Sequence, residues 1–154
     1  MKTLGKLALG AVSMLTAAGS LLVAGPAVAA APAAEVAPQV QVFTAAAGVA
    51  PPAQLIGPNG EKPTEWGVAS FDMLRSGSPV AKASVGGGTW LSGTTAALTG
   101  KTCYSNYIHP TKKHSASIAF AGGTKKDIRR KDVWAKAKIT AGAAYTCNTY
   151  WGVY

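Results

Sequence analysis

The sequence predicts an all-β protein, a small antiparallel β-sandwich of two short sheets, preceded by a signal peptide and an Ala/Pro-rich segment. Three observations carry that expectation. Apolar residues in the last 71 positions recur mostly with period two rather than 3.6. Glycine clusters cut those runs into strand-sized lengths. Two cysteines stand one near the start and one near the end of the same region, where a single bridge can tie a small core together.

The whole chain has 154 residues and a net charge of +9, which suits one ordinary domain with a targeting segment attached. Charged residues make up 14% and apolar residues 48%, so disorder driven by high charge and low hydrophobicity is excluded. Two cysteines exclude a zinc framework of cysteine pairs. The chain is too short for a multi-domain enzyme.

Residues 1–29 read as a secretory signal. Lys2 and Lys6 form a positive end, residues 7–24 are apolar or small without a charge, and Pro26 breaks the run. Ala27-Val28-Ala29 then supplies a small-x-small cleavage pattern. An uncleaved anchor is the alternative, since the apolar run nearly suffices to span a bilayer. Residues 30–83 form an Ala/Pro-rich linker or pro-segment carrying −1 net charge. Within it Gly57-Pro58-Asn59-Gly60 is a turn signal, and residues 66–71 (Trp66-Gly67-Val68-Ala69-Ser70-Phe71) fit one extra short strand or part of a detachable leader.

Residues 84–154 hold ten basic and two acidic residues, so +8 of the charge sits here, beside nine of the twelve aromatics. Ala116, Ile118 and Phe120 alternate with Ser115 and Ser117. Val133, Ala135, Ala137 and Ile139 alternate with Trp134, Lys136 and Lys138. Tyr145, Cys147, Thr149, Trp151 and Val153 alternate with Thr146, Asn148, Tyr150 and Gly152. Such patterns put one face on a core and the other toward solvent. Gly86-Gly87-Gly88, Gly122-Gly123 and Ala141-Gly142 punctuate five or six short strands. A core of about 70 residues is marginal, and export favours a Cys103–Cys147 disulfide over a redox or catalytic thiol pair.

Two stretches stand out for function. The first runs from Cys103 through Tyr104, Ser105, Asn106, Tyr107 and His109, across a Pro110-Thr111-Lys112-Lys113 turn, to His114-Ser115-Ala116, as a hairpin would. Two histidines on facing strands suit a metal or acid–base chemistry. A third ligand is lacking, however, and no nucleophile elbow accompanies Ser105 or Ser115. The plainer reading makes them polar hairpin residues. The second stretch, Lys125-Lys126-Asp127-Ile128-Arg129-Arg130-Lys131-Asp132, carries five cations in eight residues and reads as a loop that attracts phosphate or an anionic surface, or simply a solvated loop. Trp134, on the lysine-bearing face of the next strand with Lys136, would be an exposed contact aromatic.

Several of these residues resemble the lactococcin 972 family of secreted bacteriocins. The resemblance rests on Gly88-Thr89-Trp90, Tyr104-Ser105-Asn106-Tyr107 with His109, and Lys113-His114-Ser115-Ala116. It continues through Lys126-Asp127, Arg130, Val133-Trp134-Ala135-Lys136-Ala137, Asn148 and Tyr150-Trp151. Glu65-Trp66-Gly67-Val68 is similar to a stretch of longer members of that group. The resemblance implies a β-sandwich and an antibacterial protein that binds the cell-wall precursor lipid II and blocks septum synthesis rather than making pores. Cys103 and Cys147 stand outside the founding pattern. The expected ligand-binding residues are Tyr104, Asn106, Tyr107, His109, Lys112, Lys113 and His114 from the first stretch. Lys125, Lys126, Arg129, Arg130, Trp134 and Lys136 come from the second. No catalytic residue, metal, cofactor or nucleic-acid partner is expected. The rival functions are a non-toxic module for wall glycans or anionic surfaces, and a small hydrolase or nuclease using His109 and His114.

Overall fold

The computed structural model describes residues 39–72 and 80–154, and the expected signal peptide lies outside them. Nine antiparallel strands form among the described residues: β1 (Gln41–Thr44), β2 (Glu65–Phe71), β3 (Val80–Val85), β4 (Gly88–Ala97), β5 (Gly100–Ile108), β6 (His114–Phe120), β7 (Gly123–Arg129), β8 (Ala135–Ala141) and β9 (Cys147–Val153). Sheet A has the order β1-β2-β9-β6-β7, and sheet B the order β3-β4-β5-β8. The all-β fold of two antiparallel sheets agrees with the periodicity: β4–β9 are six strands within residues 84–154, where five or six are expected, and β1–β3 begin before that region.

The inner faces of the sheets carry the core. Trp90 and Tyr107 from sheet B meet Ala116, Ile118, Phe120, Trp151 and Val153 from sheet A, all essentially buried. The Tyr107 ring centroid lies 5.2 Å from that of Trp151. A polar bridge crosses this apolar layer: Trp90 Nε1 donates to Ser105 Oγ (2.9 Å), which donates to the Tyr150 carbonyl (2.9 Å). Cys103 of β5 and Cys147 of β9 are bonded and fully buried, so the disulfide joins the two sheets.

Residues before position 84 enter the sandwich. β2 pairs with β9 along seven residues, and it buries Trp66, Ala69 and Phe71. Gly67 faces Trp151 across that pair, and a Cβ there would stand 2.3 Å from Trp151 Nε1, so the indole needs a glycine beneath it. β3 spans the expected boundary at Ser84 and pairs with β4 through the Gly86-Gly87 turn, where φ is +56° and +76°.

Three local expectations are corrected. The stretch around His109 and His114 is no hairpin, because β5 is already paired on both sides by β4 and β8, and β6 by β7 and β9. The connection instead carries the chain from sheet B to sheet A. The basic stretch is not a loop as far as Arg129, since Lys125–Arg129 forms most of the edge strand β7. Lysines on an edge oppose pairing with another chain. Nor does β6 show a solvent face: Ser115 and Ser117 are fully buried. The segment around Leu55 and Pro63 covers that side, with Gly152 giving it room, and Tyr154 Oη donates to the Leu55 carbonyl at 2.6 Å.

Candidate functional site

Three of the expected site residues are part of the framework. Tyr107 is fully buried and its hydroxyl donates to the Val85 carbonyl at 2.9 Å. Burial and the nearby Glu65 charge push its ionisation far up. His109 is 4% exposed. Its Nδ1 accepts the backbone N–H groups of Thr111 (3.1 Å) and Lys112 (2.9 Å), so its Nε2 carries the proton and donates to the Gly86 carbonyl at 2.9 Å. Burial, more than the opposing Gly86 hydrogen bond, lowers its pKa below the ordinary imidazole value, and the ring is held neutral. His114 is fully buried, with Nδ1 2.9 Å from the Lys112 carbonyl and Nε2 2.8 Å from that of Val133. All four ring nitrogens thus engage the backbone. The histidines tie the β5–β6 connection to the β3–β4 turn and to the residues before β8.

The cations disperse. Lys113 pairs with Glu61, and Lys126 Nζ donates to the Ile56 carbonyl. Arg129 pairs with Asp127 at 2.9 Å, and Asp127 also accepts the Lys136 backbone N–H at 2.9 Å, joining the edges of the two sheets. Lys112, Lys125 and Arg130 are exposed at separate places. Trp134 stands just before β8 and is half-buried rather than exposed as the alternation suggested.

The residues brought together are Tyr104, Asn106 and Lys136, on the outer face of sheet B. The pairing sets Lys82, Leu91, Asn106 and Lys136 in one row across four strands, and Gly93, Tyr104 and Lys138 in the next. Neighbouring strands lie about 4.8 Å apart and successive outward residues about 7 Å apart, so the ammonium groups frame a strip roughly 14 Å wide. Lys82, Lys136 and Lys138 are exposed, and none makes an ion pair among the described residues. These two rows contain no carboxylate. Partial burial raises the Tyr104 pKa, so the ring presents a neutral hydroxyl.

At one end the strip reaches a cleft of about 610 Å3, lined by Ser84, Gly87, Gly88, Thr89, Ile108, Pro110 and Asp132. Lys82, Ser84 and Leu91 were not among the expected site residues. The alternation of Lys82 and Ser84 with Ala81, Ala83 and Val85, running into a glycine turn, is the signal that could have found them.

Fold and site define a small, basic, disulfide-joined β-sandwich with a lysine-framed outer sheet face. Residues 86–151 match the family model described as Bacteriocin (Lactococcin_972), so that span is similar to the lactococcin 972 bacteriocins, as the sequence motifs led one to expect. The match runs from the β3–β4 turn to Trp151 of β9, so β1, β2 and β3 all precede it. Neither the curated proteins nor the solved structures include a significant match.

Proposed function

We propose that this protein is a secreted, non-enzymatic antibacterial protein that inhibits cell-wall and septum synthesis by binding lipid II. The observation that carries the reading is the outer face of sheet B, where Tyr104 and Asn106 lie between Lys82 on one side and Lys136 and Lys138 on the other. Lipid II offers a pyrophosphate joined to sugars at a membrane surface. The two rows carry no carboxylate of their own, and Asp127 beside Lys136 is engaged by Arg129, so the ammonium groups attract the pyrophosphate. A neutral tyrosine and an amide suit sugar hydroxyls and rings. The remaining cations, spread over other faces, add long-range attraction to an anionic envelope. Of the expected ligand residues, Tyr107, His109 and His114 act here by holding the framework.

The test compares binding of the secreted protein to vesicles carrying lipid II and to vesicles of equal charge carrying phosphatidylglycerol alone, alongside growth inhibition of Gram-positive indicator strains. Preferential binding that survives 0.15 M salt, where the Debye length is about 8 Å, and that drops at least tenfold in Lys136→Ala/Lys138→Ala, supports the reading. Equal binding to both vesicles, abolished by that salt, rejects it in favour of plain cation attraction. Specific binding without growth inhibition selects the non-toxic wall-binding module.

A further inference from the structure

The cleft at the end of sheet B has a chemistry different from the lysine strip. Ser84 and Thr89 bring hydroxyls and Asp132 a carboxylate, while Ile108 and Pro110 bring an apolar wall. A pyranose ring is amphipathic in the same sense, with C–H groups on its faces and hydroxyls around its rim. A concave site with a few convergent polar groups beside an apolar wall is where a small ligand is held. One carboxylate and two hydroxyls are too few for a hard cation, which takes six or more oxygens, and the carboxylate disfavours a phosphate.

The walls are fixed in advance. Asp132 adopts φ +60°, a left-handed conformation that Asp and Asn take up more readily than other residues with a side chain. Its backbone N–H donates to the His109 carbonyl at 2.9 Å. The His109 ring in turn holds the Gly86 carbonyl and the N–H groups of Thr111 and Lys112. One buried, neutral imidazole therefore sets the distance between the glycine turn on one side of the cleft and the Pro110 and Asp132 turns on the other. Such preorganisation lowers the ordering cost of binding.

Thr89 and Ile108 are paired neighbours, and the next outward pair along the same strands is Leu91 and Asn106. A ring seated in the cleft thus continues, about 7 Å on, over the lysine-framed strip. We propose that the cleft is a carbohydrate subsite that takes one sugar ring of a phosphorylated glycan whose phosphates lie over Lys136 and Lys138. The assignment deepens the reading given under Proposed function and rests on it for the phosphate half only.

The test is amide NMR on the 15N-labelled secreted protein with three probes: the N-acetylglucosamine disaccharide, inorganic pyrophosphate, and UDP-N-acetylglucosamine, which joins sugar to pyrophosphate. The disaccharide is expected to shift Thr89, Ile108 and Asp132 saturably at millimolar concentration. Pyrophosphate is expected to shift Lys136 and Lys138, and the nucleotide sugar both sets. Thr89→Val keeps the side-chain shape, and Asp132→Asn keeps a residue that tolerates positive φ. Each should weaken disaccharide binding at least tenfold and leave pyrophosphate binding within twofold. No disaccharide shift at the cleft, or a shift that both variants leave unchanged, overturns the subsite. Disaccharide binding that the variants abolish, with no pyrophosphate shift at the lysines, upholds the subsite and refutes the phosphate reading.

Discussion

Reducing the Cys103–Cys147 bond should remove much of the stability of the sandwich. The two cysteines are 44 positions apart, and both sulfurs lie in the core between β5 and β9. Closing a loop of that length removes denatured-state entropy worth about 4 kcal/mol in the chain-entropy model. Small domains are stable by only about 5–15 kcal/mol, and a loss of that size lowers the melting temperature by roughly 15 °C. The free thiols would remain where the bridge was, so reduction changes the chain's freedom more than the core's packing.

The assay is guanidinium unfolding followed by tryptophan fluorescence, with and without a phosphine reductant at neutral pH. Four tryptophans report the transition, and Trp66, Trp90 and Trp151 are almost completely buried. The extrapolated stability is expected to fall by about 3–5 kcal/mol. The denaturant slope is expected to rise, since an unlinked denatured chain exposes more surface. Unchanged stability on verified reduction would refute the reasoning, and a fall in stability with no change in slope would place the effect in native packing instead.

Acid should destabilise the fold through His109. Its folded pKa is depressed, so between the ordinary value near 6.5 and the lower folded value the unfolded chain binds more protons; stability is present above pH 6.5 and is lost as pH falls through that window. His109→Gln, monitored by melting temperature, should flatten this slope, and an unchanged slope would count against the assignment. Lys101 is 8% exposed, its ammonium has no hydrogen-bond partner among the described residues, and burial lowers its pKa. Lys101→Met should therefore hold or raise stability by about 1 kcal/mol in denaturant titration, whereas a loss above ~1 kcal/mol would mean that the charge is well paired. Gly67→Ala should cost roughly 1–3 kcal/mol by forcing the Trp151 indole aside, and a melting temperature equal to that of the parent protein would show that the indole relaxes freely. Residues 84–154 produced alone should show no cooperative unfolding, and a sharp transition with near-ultraviolet dichroism would contradict the role given to β2.

Period two is legible wherever strand faces differ in chemistry. β8 alternates as its sequence does, with Ala135 and Ala137 buried and Lys136 and Lys138 exposed. The same rule fails on β6, because a segment far away in sequence covers the outward serines, and a local pattern holds no record of such cover. The hairpin expected around His109 failed for a related reason. A short turn between two strands fits a hairpin or a step between sheets equally well, and only the partners of β5 and β6 decide. The histidines were readable as a constellation but not as a role, since their bonds run to backbone groups of Gly86 and Val133 that have no side-chain signature. Part of the lysine-framed strip was legible in Tyr104, Asn106 and Lys136. Lys82 was not, because the strand that presents it lies in a stretch whose composition reads as linker.

That stretch changes how the family match relates to the folded unit. Residues 86–151 supply β4–β8 and most of β9, and in that span alone β9 has a partner on one side only. β2 occupies the other side and covers the core with Trp66 and Phe71, while Leu55 closes the outer face of β6. Phenylalanine or tryptophan truncation in a core costs about 3–5 kcal/mol each, so losing this cover would be a loss comparable to the whole stability of a small domain, about 5–15 kcal/mol. β3 stands in the same relation to sheet B, for it supplies Lys82 at the edge of the strip and Ser84 in the wall of the cleft. A cleavage after residue 72 would therefore remove part of the core, whereas one before residue 39 would leave every described strand in place. The surface proposed for a phosphorylated glycan is thus built jointly by the family segment and by the strand that precedes it.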